Sequence, residues 1–325
     1  MLISADLVRA FATAPWHLIA ASLLGGGGIG ETIALISAIA GDLAEPREQV
    51  SFIGTAYFCS ALGMIVGPSA ASVLLLFTGI RTLLYISFFA RLSLVFYILF
   101  FVKEPKRRRA TGISYKGSIR SLLKKRDMIG GISMMIFLFA AISISNTFVP
   151  VFARRGLLLS DSQVASISTF RSLAILLFRF FSNEILGRIR YKKLIMSMLA
   201  ATSLAIFAIP YSLDYPTLSA FSFALGLCFG SLNLMGAVVT STVADESNRG
   251  VAQAVNSLAS ASGQVAPVIM APIAETQGIS SVFSIGALLP IFGILFVAGL
   301  MTRSLGNSNT LKLGNDTNFG ESNAG

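Results

Sequence analysis

Apolar residues in this chain come in unbroken runs rather than in alternation, and each run is about 20 residues long. Turn and charge signals between the runs mark nine full spans, at 17–41, 51–77, 82–102, 128–150, 163–186, 192–211, 217–241, 251–274 and 281–303, after a short remnant at 1–13. At 1.5 Å of rise per residue each full span crosses a hydrocarbon layer of about 30 Å as a helix. Lipid offers no partner to backbone N–H and C=O groups, so only helices or a closed barrel can span it. Barrel strands would alternate polar and apolar positions. The pattern therefore predicts an all-α integral membrane protein with about nine transmembrane helices and one helix remnant.

Composition agrees with that reading. Of 325 residues 54% are hydrophobic and 12% charged, with a mean hydropathy of +0.76, against about a quarter charged in soluble domains. The net charge of +10 would suit nucleic acid if it covered a surface. Instead the cations gather in loops. Lys103, Lys106, Arg107, Arg108, Arg109, Lys116, Arg120, Lys124, Lys125 and Arg126 fall in or at the edge of 103–127, and Arg188, Arg190, Lys192 and Lys193 in the next loop on that side. The other side holds Arg81, Arg154 and Arg155. Positive loops stay on the cytoplasmic side, so the expectation is a multi-pass protein of the cell membrane with a cytoplasmic C-terminus, partnered by the lipid bilayer and not by nucleic acid.

The same signals divide the chain into an incomplete N-terminal helical bundle at 1–102, a basic cytoplasmic linker at 103–127, a C-terminal six-helix bundle at 128–303 and a Gly-, Asn- and Ser-rich tail at 304–325 expected to be disordered. No cleavable signal peptide is expected, because Asp6 and Arg9 interrupt the first apolar residues. Within the linker, Ile119, Leu122 and Leu123 share a face of a possible helix. Such a helix either lies on the membrane and favours anionic lipid or forms a solvated basic linker that fixes topology.

An internal repeat follows. AGDLAEPREQVSFIGTAYFCSALGMIVGPSAA, starting at Ala40, and VADESNRGVAQAVNSLASASGQVAPVIMA, starting at Val243, share one order of features. An acid, Asp42 or Asp245, precedes an arginine, Arg47 or Arg249. A helix rich in small residues follows, and it contains Pro68 or Pro267. Acid and arginine suit a latch across a loop, or a plain rim salt bridge. Gly63, Gly67 and Ala71 recur every four residues and share a face, as do Ala259, Gly263 and Pro267, which predicts close helix approach. Pro68 is expected to bend its helix.

The string Gly63-x-x-x-Gly67-Pro68-x-x-Ala71 resembles the glycine–proline motif in the fifth helix of the major facilitator superfamily, prominent in proton-coupled exporters, with Ala71 and Ser72 where a Gly-Gly pair is common. Asp245-x-x-x-Arg249-Gly250 resembles the loop between that family's tenth and eleventh helices, and LGRIRYKK stands where a second basic loop motif is found. In the family's register the nine spans correspond to helices four to twelve and residues 1–13 to the end of helix three. The resemblance implies two pseudo-repeated halves, a central cavity and alternating access, in a chain lacking the first helices.

Chemistry-bearing residues are few. Cys59 and Cys228 lie in separate apolar runs and His17 is the sole histidine, so no metal site is expected. Gly25 to Gly28 lack the Lys-Ser/Thr of a P-loop, and no catalytic triad is visible, so neither enzyme nor cofactor is expected. Ionisable groups deep in spans are the functional candidates. Glu31 is the candidate for proton coupling, with a permanent Glu31–Arg91 ion pair as the alternative. Arg171 suits a carboxylate or phosphate on a substrate, or snorkels to the interface. Asn146, Asn233, Asn256 and Gln264 lie in spans that the resemblance assigns to the cavity. The functional expectation is a secondary transporter of a small solute, coupled to protons if Glu31 titrates, with export of drug-like or organic compounds favoured by the glycine–proline motif. The alternative is a non-transporting receptor, scaffold or decayed carrier, completed by self-association. Substrate and oligomeric state are open.

Overall fold

A computed structural model describes residues 2–14, 16, 17, 20, 21, 24, 49–101, 115–244 and 248–301. The expected span 17–41 and the tail at 304–325 fall largely or wholly outside them. So do Glu31, Asp42, Arg47 and Asp245.

The elements are α1 (Leu2–Ala10), α2 (Gln49–Leu74), α3 (Ile80–Phe101), α4 (Tyr115–Leu122), α5 (Arg126–Arg155), α6 (Asp161–Arg188), α7 (Tyr191–Ala208) with a 3-10 turn at Ile209–Tyr211, α8 (Tyr215–Val243), α9 (Arg249–Gly263), α10 (Ala266–Gln277) and α11 (Ile279–Leu300). Among the described residues seven helical stretches are long and apolar enough to cross a membrane, with α9 and α10 acting as one stretch from Gly250 to Gln277. To these α2 adds 26 helical residues, whose apolar part is Leu62–Leu74.

Helix starts are set locally. The Ser160 hydroxyl accepts from the Gln163 N–H at 3.3 Å while the Gln163 side chain accepts from the Ser160 N–H at 3.0 Å, which fixes the first turn of α6. Asp214 and Thr217 do the same for α8. His17, expected at the interface, accepts from the Ala14 N–H at 3.1 Å and lies 3.7 Å from the Trp16 ring.

The core lies among α5 to α11. Leu138, Ile144, Ile195, Leu199, Ile206, Leu218, Leu225 and Phe283 are fully buried there. Helix α8 packs against α5, α6 and α7, and α11 packs against α5 and α7. In contrast α3 buries no residue, and Leu99, Phe100 and Phe101 are widely exposed, as suits a helix whose solvent is lipid. Helix α2 crosses to the C-terminal part and packs on α6. The Ser69 hydroxyl donates to Thr169 at 3.3 Å and the Ser72 hydroxyl to the Ser162 carbonyl at 2.9 Å. Both contacts lie at the end of α6 opposite the basic loops.

The sequence pattern missed one discontinuity. The span expected as continuous over 251–274 is two helices joined by a turn at Gln264 and Val265. Pro267, at the second position of α10, sits where its missing N–H costs nothing. Pro68, its counterpart in the repeat, lies inside the uninterrupted α2.

Candidate functional site

Arg171 is the eleventh residue of α6, about 15 Å along the helix from its start. It stands half a turn around from Ser162 and Thr169, so it points away from the seam with α2. Its guanidinium Nη1 donates to the Asn146 side-chain oxygen of α5, while its Nε is buried without a partner. Helices α5 and α6 touch little, whereas both pack on α8. The Arg171–Asn146 contact therefore bridges two helices that pack on α8 more than on each other.

Small residues on α8 bring it close to α6 at this point. A Cβ at Gly226 would meet the Arg171 carbonyl oxygen and lie 2.8 Å from the Ala174 Cβ, and one at Gly230 would lie 3.2 Å from the Ile175 Cα. The Gly226-x-x-x-Gly230 face lets α8 approach the α6 backbone beside Arg171. Sequence reasoning passed over this pair, although its spacing is the one noted at Gly63 and Gly67.

A second charged group lies between α1 and α3. Asp6, 3% exposed, meets the Arg91 Nε at 3.0 Å and the Arg9 Nη1 at 3.3 Å, and accepts from the Ser87 hydroxyl at 3.4 Å. The acid that Arg91 meets is thus Asp6. Helix α1 packs against α3 and brings Asp6 to the middle of α3; the expected Glu31–Arg91 pairing involves Glu31, which lies outside the described residues.

The other candidates do not converge on Arg171. Asn256 is 8% exposed on α9, and its side-chain oxygen has no partner. Its neighbour one turn earlier, Gln253, donates to the Ala237 carbonyl at 3.5 Å, so Asn256 lies near the level of Asn233 on antiparallel α8. That level is about 10 Å further along α8 than Gly226. Gln264 is exposed in the turn between α9 and α10.

The two small-residue faces diverge. Among the described residues, nothing lies within 4 Å of a Cβ placed at Gly63 or Gly67. At Gly263 a Cβ would lie 2.5 Å from the Ile136 carbonyl oxygen and 2.7 Å from the Ala140 nitrogen, so α9 rests directly on the α5 backbone.

On the basic side, two lysines cap helix ends. Lys125 Nζ donates to the Val243 carbonyl at 2.8 Å, at the end of α8. Lys192 Nζ donates to the carbonyls of Ala298 at 2.9 Å and Met301 at 2.6 Å, at the end of α11. These carbonyls have no partner within their helices, and a cation there also meets the negative end of the helix dipole.

A multi-pass helical bundle, joined across its two parts by α2 and α6 and holding a cation deep in a span, has the build of a membrane transporter. The family model described as Major Facilitator Superfamily matches residues 1–160 and 131–320, and the chain belongs to that superfamily of transporters. No curated protein matches the chain.

Proposed function

We propose that the protein is a secondary active transporter that moves a small solute bearing a carboxylate or phosphate by alternating access, with Arg171 as the group that binds the anion. The observation that carries this is the state of Arg171. A guanidinium in a membrane span is costly unless paired. Arg171 has the neutral Asn146 amide on Nη1 and nothing on Nε, which leaves an edge suited to two parallel hydrogen bonds from one anion.

The seam of Ser69 and Ser72 with Thr169 and Ser162 supports a state closed on the side opposite the basic loops. With those loops in the cytoplasm, that state opens inward. Export of organic compounds is the direction the glycine–proline motif favours, and Glu31 is the residue through which a proton gradient would drive it.

The test is uptake into proteoliposomes across a panel of organic and inorganic anions, matched cations and neutral solutes. Saturable flux of an anion is expected, lost in R171Q and partly kept in R171K with a raised KM. Unchanged anion flux in R171Q, or flux confined to cations, overturns the assignment of Arg171. No flux for any solute by folded protein favours a receptor or scaffold.

A further inference from the structure

Helix α4 takes no part in the contact at Arg171. Its Leu122 is fully buried against Met128 at the start of α5, Ala244 after α8, and Val251 and Ala252 in the first turn of α9. The Lys125 link to the Val243 carbonyl holds the following turn down. The flank beside Leu122 is open. Ile119 and Leu123 are 38% and 45% exposed, and with Arg120 and Lys124 they line a shallow pocket.

Two apolar side chains beside two cations, at the level where α5 enters its apolar span, match the boundary between acyl chains and headgroups. The sequence YKGSIRSL of α4 contains no acid to compete for those cations. The complementary occupant is a lipid with a negative phosphate and no compensating amine.

We propose that α4 is a binding site for anionic phospholipid in the leaflet next to the basic loops, and that Leu122 passes lipid binding on to the start of α9. Acyl chain lies along Ile119 and Leu123, and phosphate meets Arg120 and Lys124. Holding α4 down holds the first turn of α9 against α5. That turn follows directly on the segment from Asp245 to Arg249, the acid–arginine motif of the second repeat. Anionic lipid thereby favours the arrangement in which the basic-side ends of α5, α8 and α9 are gathered. The proposal is independent of the identity of any solute.

Hydrogen exchange of the full chain in nanodiscs tests it, comparing pure phosphatidylcholine with a mixture containing phosphatidylglycerol. Phosphatidylglycerol is expected to slow exchange several-fold at 115–125 and in the first turns of α9. A lysine or arginine near an anionic surface contributes roughly a factor of five, so R120Q/K124Q should lose up to roughly thirtyfold in preference for phosphatidylglycerol, and each single variant about fivefold. L122A should keep the slowing at α4 and lose it at α9. Equal exchange in the two lipids, or an unaltered response in the folded single and double variants, overturns the site. A response at α9 that survives in L122A overturns the transmission through Leu122.

Discussion

Arg91 and Arg171 both sit deep within helices long enough to cross a membrane, yet their surroundings differ in kind. Arg91 meets the carboxylate of Asp6, which a second guanidinium, Arg9, and the Ser87 hydroxyl also reach. Arg171 meets only an amide and keeps its Nε unpaired. The first arrangement is satisfied from within and ties α1 to α3. The second lacks a counter-charge among the described residues, and its neighbours Gly226 and Gly230 add no side chain that could supply one. The contrast sets a cation that ties two helices together against a cation that no described acid answers.

The largest effect should come from removing the acid. Asp6→Asn leaves Arg9 and Arg91 together without that counter-charge and should cost on the order of 2–3 kcal/mol, below the range for a fully buried broken pair because both guanidiniums are over a third exposed. Arg171→Gln should change stability by less than about 1 kcal/mol in either direction. Denaturant titration in detergent measures both, and equal losses would erase the distinction. The glycine faces extend the comparison. Gly263→Leu should cost about 1–3 kcal/mol by forcing α9 off α5, whereas Gly67→Leu should stay within about 0.5 kcal/mol. A large loss at Gly67 would show that its face is packed after all. The smallest effect sets exposed Asp214 against buried Asp6. The hydroxyl and N–H of Thr217 hold the Asp214 carboxyl below the usual carboxylate range. A folded pKa below the unfolded one gives stabilisation that is present above the unfolded value and lost as pH falls through the folded one. Acid unfolding followed below about pH 4 should therefore show a cap contribution that vanishes in Asp214→Asn.

Much of the C-terminal part was legible from hydropathy. The runs at 128–150, 192–211 and 281–303 fall within a few residues of Arg126–Arg155, Tyr191–Tyr211 and Ile279–Leu300. Lipid leaves an apolar run one solution, so length and composition suffice. The break at Gln264 and Val265 escaped because hydropathy averages across a two-residue turn, although Pro267 marked it. Arg171 was legible as a charge in a span, but its partner Asn146 was only one amide among four. Asp6, which meets Arg91, was weighed only as an interruption of an apolar start. Hydropathy places residues by depth and says nothing of which helices are neighbours. Gly226 and Gly230 show the same limit, since their spacing was visible and their partner helix was not.

Lys125 and Lys192 carry a consequence for how this sequence can vary. Insertion into a membrane reads positive charge in loops coarsely, summed over many residues. The finished structure reads the same charge atom by atom, at the carbonyls ending α8 and α11. Moving the charge of Lys192 to a neighbouring loop position would leave the topology signal intact and strip the cap from α11. These two lysines thus answer to a kinetic demand during synthesis and to a thermodynamic one ever after, and only the second fixes where they must stand.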